Sequence, residues 1–133
     1  MHIATGAAAG ALTGSRLGAV LAGPVLHAAC DRIPHEDIDS HAFELRCGVL
    51  GVLGLAAVRG VLDPATVGAV ASAVPDVEHV VRLPRPGGRK LFPSHRIPGF
   101  SRPGGVPASV QLVVAGVLLG IVLGAGLRND RRG

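Results

Sequence analysis

Two stretches of this chain carry side chains that could do chemistry together. One runs from His27 to His41 (HAACDRIPHEDIDSH). The other runs from Pro75 to Arg96 (PDVEHVVRLPRPGGRKLFPSHR). With Glu44 added, they hold every histidine except His2 and every acid except Asp63 and Asp130. His27 and Asp31 are four residues apart, so on a helix they share a face and can hold one ion between them. His35 follows four residues later, after Pro34 has broken the register, and Asp37 lies two beyond it. Asp76, Glu78 and His79 form a tight group of acids and imidazole, and His95 sits between Ser94 and Arg96. Mixed imidazole and carboxylate ligands suit zinc or another first-row divalent ion. They do not suit calcium, which takes oxygen only. The candidate ligands are therefore His27, Asp31, His35, Asp76, His79 and His95. Glu78 and Asp37 are candidates for a general base or for orienting a ligand imidazole. Arg89, Lys90 and Arg96 could neutralise a phosphate, for which arginine offers bidentate contact. Glu44 is a further acid one turn beyond His41; His2 and His41 are left outside the set.

Each assignment has a plainer rival. His27 and Asp31 could be a hydrogen-bonded pair at a helix end, and Asp76 after Pro75 could cap a turn. His95 could be a loop residue, and Arg89 and Lys90 could be loop charge beside a membrane. The metal reading rests on the residues jointly, because ionisable groups near a bilayer are costly and are kept for function.

The elements that must position these residues are apolar. Residues 3–30 are almost free of charge apart from Arg16, long enough to cross a bilayer as one helix. Gly6, Gly10 and Gly14 repeat every fourth residue, the small-residue pattern of a close helix contact. No basic leader or cleavage site marks this segment as a signal peptide. Asp31-Arg32-Ile33-Pro34 should end it. Asp39-Ser40 offers a cap for a second helix over 40–62, and Asp63-Pro64 a break and cap for a third over 64–82. Residues 83–105 read as a Pro-, Gly- and Arg-rich loop. Residues 106–127 carry no charge and form the clearest membrane span. The expectation is an all-α, single-domain (1–133) integral-membrane bundle of about four helices.

Composition agrees. Of the 133 residues 48% are hydrophobic but only 2% aromatic, and 20 are glycine. Small residues suit close helix packing in lipid better than a water-soluble core of large side chains. The net charge of +4 comes without interleaved aromatic residues, so base stacking has no platform and no nucleic-acid partner is expected. Membrane lipid is the expected surrounding partner. The two cysteines, Cys30 and Cys47, match no metal pattern and read as small apolar residues. Arg32, Arg46, Arg82, Arg85, Arg89, Lys90, Arg96 and Arg102 fall on the side of the two clusters, which the positive-inside rule assigns to the cytoplasm.

The same residues carry a resemblance. His27-Ala-Ala-Cys-Asp31-Arg-Ile-Pro34-His35, Pro75-Asp76-Val-Glu78-His79 and Ser94-His95-Arg96 resemble the motifs of bacterial membrane-bound metal-dependent hydrolases, the YdjM-like inner-membrane proteins. That family is similar, distantly, to zinc-dependent phospholipase C and related all-helical nucleases, whose zinc ions are held by His, Asp and Glu. The resemblance implies a zinc-type phosphoester hydrolase in the inner membrane, acting on a phosphate-containing small molecule or lipid. The third motif is shortened here, with Ile97-Pro98 where the family continues to a second histidine. Two other readings stay open: a non-catalytic membrane protein that binds a metal or a partner, and a small subunit, a homo-oligomer included, packed through glycine-rich helices.

Overall fold

The first apolar stretch does not run as one helix. Gly14 adopts φ +60°, and its N–H closes on the carbonyl of Gly10. The Ser15 side chain then accepts from the Gly18 N–H and caps a new helix. Glycine enters the left-handed region without steric penalty and serine is a favoured N-cap, so the pair makes a turn inside an apolar run. In the computed structural model, which describes residues 1–100 and 104–130, α1 spans His2–Thr13 and α2 spans Arg16–Arg32. The helix expected over 3–30 is thus two shorter ones. At about 1.5 Å per residue, neither the 12-residue α1 nor the 17-residue α2 reaches the roughly 30 Å of a bilayer core.

Helix α3 (His41–Arg59) starts where expected, with the Ser40 side chain accepting from the Phe43 N–H. Helix α4 (Pro64–Ala73) is capped by Asp63, which accepts from the Ala65 N–H. It ends sooner than the expected 82, because Pro75 turns the chain into a 3₁₀ turn at Val74–Asp76 before the single turn of α5 (Val77–Val80). The long loop contains one further helical turn, α6 (Pro93–Arg96), and α7 runs over Ala108–Asp130. The chain is all-α, with no strand among the described residues. An isolated bridge between His35 and Val106 ties the α2–α3 link to the start of α7. Arg102, counted in the charge pattern above, lies outside the described residues.

Close backbone approach organises the packing. Helix α4 lies against both α1 and α2. A Cβ on Gly6 would strike the carbonyl of Gly68 and the side chain of Ser72, and one on Gly10 would strike the carbonyl of Pro64. At Gly23 a Cβ would stand 2.6 Å from that of Ala71. Gly6 and Gly10 therefore form the small-residue contact, while Gly14 is spent on the turn. The core is correspondingly small: Ala7, Ala65 and Ala69 with Leu55 and Val122. Large apolar side chains point outward instead, among them Leu50 and Leu53 on α3 and Val113, Val117 and Ile121 on α7. Among the described residues, helices α3 and α7 are the two long and apolar enough to cross a membrane; the first apolar stretch, expected to do so, is not.

The helices alternate in direction. His2, Asp31, His41, Ser72 and Ala108 mark one end of the bundle. At the other end the Arg16 guanidinium donates to the carbonyl of Leu62, and Arg59 bonds Asp63 and the carbonyl of Val122. The chemistry-bearing residues collect at the first end.

Candidate metal centre

His27 and Asp31 stand one turn apart at the end of α2 and are almost wholly buried. The α4–α5 turn adds Asp76, and α6 adds His95. Their donor atoms converge. His27 Nε2 lies 3.2 Å from Asp31 Oδ2, 3.6 Å from Asp76 Oδ1 and 3.3 Å from His95 Nε2. His95 Nε2 lies 3.7 Å from Asp31 Oδ2 and 3.6 Å from Asp76 Oδ1. His27, Asp31 and His95 lie close enough to share one cation. Asp76 comes within such reach with His2 and His27, and with His79 and His95, but not, among the described residues, together with Asp31.

The outer faces of the two imidazoles fix their tautomers. His27 Nδ1 is 2.8 Å from the carbonyl of Ser72, which can only accept, so Nδ1 carries the proton. His95 Nδ1 donates in the same way to Glu78 Oε1 at 2.7 Å. In a neutral ring this leaves Nε2 of each as a lone pair aimed at the other and at two carboxylates. Such an arrangement is repulsive unless a proton or a metal ion lies between. Asp31 Oδ2 is also buried without a hydrogen bond among the described residues, an orphan that a cation would satisfy. The donor set thus fits a bound metal ion.

Glu78 holds His95 from behind. It is 1% exposed, and its second oxygen accepts the Leu91 N–H at 2.7 Å. Burial alone would raise its carboxyl pKa. The bonds from Leu91 and His95 outweigh burial and hold it below the ordinary carboxylate value.

The other sequence candidates divide. His79 stands outside the four-donor cluster: its Nε2 is 3.1 Å from His95 Nδ1, the nitrogen that faces Glu78. It still comes within cation-sharing distance together with Asp76 and His95. Burial and the neighbouring His95 and Lys90 lower its pKa. His35 is not brought in. Beyond Pro34 its Nδ1 donates to the carbonyl of Ile33, and with Asp37 it lines a separate cavity of about 100 Å³ that also includes His41 and Glu44. Asp37 is exposed there, away from the donor cluster, whereas Glu78 takes the orienting place. Arg89, Lys90 and Arg96 line a cavity of about 540 Å³ that has His95 in its wall. The two cysteines are free; Cys47 is exposed rather than buried and Cys30 half-buried.

Two contributors escaped the sequence. The carbonyl of Ser72 orients His27, a main-chain role that any residue type could fill. His2 packs its ring on that of His27 at 4.0 Å and puts Nε2 3.3 Å from Asp31 Oδ1. No spacing rule links residue 2 to residue 31; the available hint was a histidine at the end of an apolar helix in a chain whose other histidines cluster.

No family model, curated protein or solved structure matches the chain.

Proposed function

We propose that this protein is an integral-membrane, metal-dependent hydrolase of phosphate esters. The observation that carries the reading is the convergence of His27, Asp31 and His95, with Asp76 at their edge and both imidazoles turned by Ser72 and Glu78 to offer Nε2. The donor atoms of His27, Asp31 and His95 stand 3.2, 3.3 and 3.7 Å apart, close to the separation of about 3.3–3.4 Å between ligands of a tetrahedral zinc ion at about 2.0–2.1 Å, which supports zinc as the metal. His27, Asp31 and His95 are the buried holders. The Asp76 side chain is 48% exposed and lies at the open edge, where water enters. Three fixed ligands and one exchangeable position are the pattern of catalytic rather than structural zinc.

A divalent ion held by His27, Asp31 and His95 would supply a water acidified toward neutrality. The chain's own residues do the rest. Asp76 orients that water from the solvent side and accepts its proton. Glu78 keeps His95 in one tautomer. Arg89, Lys90 and Arg96 bind the phosphate in the adjoining cavity, and His95, in its wall, connects that cavity to the donor cluster. Helices α3 and α7 cross the inner membrane, with α1 and α4 packed against them and α2 packed on α1 and α4. The arginine-rich end that holds the site faces the cytoplasm. The resemblance of the three motifs to those of YdjM-like membrane hydrolases supports this reading.

The test is metal content and hydrolysis in detergent-purified protein. Wild type should hold zinc and cleave a generic phosphomonoester or phosphodiester in a metal-dependent way, and His27→Ala should lose both. Equal metal content in the two proteins refutes the metal reading. Metal without hydrolysis across a broad ester panel refutes the enzyme.

A further inference from the structure

Asp31 offers one oxygen to the donor cluster, and its other oxygen needs a fixed partner. A carboxylate anchored at one oxygen alone can swing or chelate through both. Oδ1 lies 3.3 Å from His2 Nε2. The start of α1 that carries His2 is held by three contacts. The His2 ring stacks on His27 with the planes 31° apart. The His2 carbonyl accepts from the Ser72 hydroxyl at 2.8 Å, a proton that the carbonyl of Ala69 also attracts at 2.9 Å. Gly6, one turn along α1, is pressed so close to Ser72 that a Cβ would collide. The contacts close a circuit. Ser72 donates to the His2 carbonyl, the Ser72 carbonyl accepts from His27 Nδ1, His27 Nε2 faces Asp31 Oδ2, and Asp31 Oδ1 returns to His2 Nε2. That circuit joins the start of α1, the end of α4 and the end of α2.

We propose that His2 is a positioning residue of the metal centre: its Nε2–H holds Asp31 Oδ1, so that Oδ2 is presented to the ion as a single, directed ligand. The inference rests on the metal reading above. His2 also comes within cation-sharing distance of His27 and Asp76; two features favour the positioning role over direct ligation. His2 Nε2 meets the Asp31 oxygen that lies away from His27 Nε2. Its ring lies against that of His27 at 4.0 Å with a tilt of 31°, a stacked contact rather than an edge-on one. His2 Nδ1, buried without a partner among the described residues, belongs to a ring that lines the smaller polar cavity beside Glu36 and His41.

The experiment titrates Zn²⁺ alone into full-length, detergent-solubilised protein against a competing chelator. It compares wild type with His2→Ala, His2→Gln and His27→Ala. Removing a partner that orients a ligand costs about 10–100-fold in metal affinity. His2→Ala should show that loss. His2→Gln, whose amide can still donate to Asp31 Oδ1, should return to within about threefold of wild type, a recovery that a helix-packing role or direct ligation by an imidazole would not give. His27→Ala should abolish binding. Unchanged affinity in His2→Ala overturns the proposal. So does equal loss in His2→Ala and His2→Gln, which would mark His2 as a ligand or a packing residue. If wild type and His27→Ala bind Zn²⁺ alike, the metal reading itself falls, and with it this inference.

Discussion

Glu78→Gln isolates the orientation of His95 from its presence. Glu78 accepts two hydrogen bonds with different chemistry, from the Leu91 N–H and from His95 Nδ1, each at 2.7 Å. Glutamine keeps the shape but has one acceptor oxygen and one donor nitrogen. The peptide N–H of Leu91 cannot change its proton, whereas imidazole can change tautomer at little cost. The amide oxygen therefore stays with Leu91, and the amide NH₂ faces His95. His95 answers by baring Nδ1 and placing its proton on Nε2, directed at His27 and the carboxylates. A proton then occupies the place of the ion. Loss of an orienting partner of this kind costs about 10–100-fold in metal affinity, or about 1.4–2.7 kcal/mol. The metal-free protein should lose less than about 1 kcal/mol, since both buried bonds are still made, though neutral ones are weaker. Zn²⁺ affinity by chelator competition reads the first quantity, and thermal unfolding followed by helical circular dichroism reads the second. Zinc affinity within twofold of wild type refutes the reasoning. A large fall in metal-free stability with unchanged affinity would show that Glu78 is a packing residue.

Four further outcomes follow from the geometry. His35→Ala and Asp37→Ala should leave zinc affinity unchanged, because both lie on the separate cavity, and a tenfold loss in either would show that the ligand set is drawn wrongly. Gly10→Val should destabilise by about 1–3 kcal/mol or block folding, since its side chain meets the Pro64 carbonyl, whereas Gly54→Ala, with open space at its Cβ, should leave the melting temperature within a few degrees. Glu78 is held below the ordinary carboxylate pKa of about 4.3, so its stabilising contribution is complete above that pH and is lost as pH falls through the lower folded value. Metal-free wild type should lose stability below pH 4 more steeply than Glu78→Gln, and parallel curves would contradict the assignment. In sealed inverted membrane vesicles, reporters inserted between Asp39 and Ser40 and at Gly104 should be accessible on the same side and one at Gly60 on the other, and any other partition would reject the two-span topology of α3 and α7.

Short-range rules made part of this molecule legible. Ser40 and Asp63-Pro64 announced the starts of α3 and α4, and Gly14-Ser15 carried a turn signal that the surrounding apolar run concealed. The pairing of His27 with Asp31 followed from helical pitch alone, because four residues return to the same face. Asp76 and His95 were named as ligands from residue type, but neither their meeting with His27 nor the exclusion of His35 could be read locally. That selection depends on where α6 and the α4–α5 turn come to rest against the end of α2. Their position is set by how closely Gly6, Gly10 and Gly23 let three short helices approach. The sequence by itself determined an all-helical chain with small-residue contacts, one long apolar helix after residue 106 and a stock of imidazoles and carboxylates at helix ends. The tertiary structure decided which of these share one point, that Glu78 stands behind an imidazole rather than beside a water, and that His2 closes the ring. Hydrogen bonds across 45 and 70 residues, from His27 to the Ser72 carbonyl and from Ser72 to the His2 carbonyl, leave no trace in local spacing, since a main-chain carbonyl has no residue type to read.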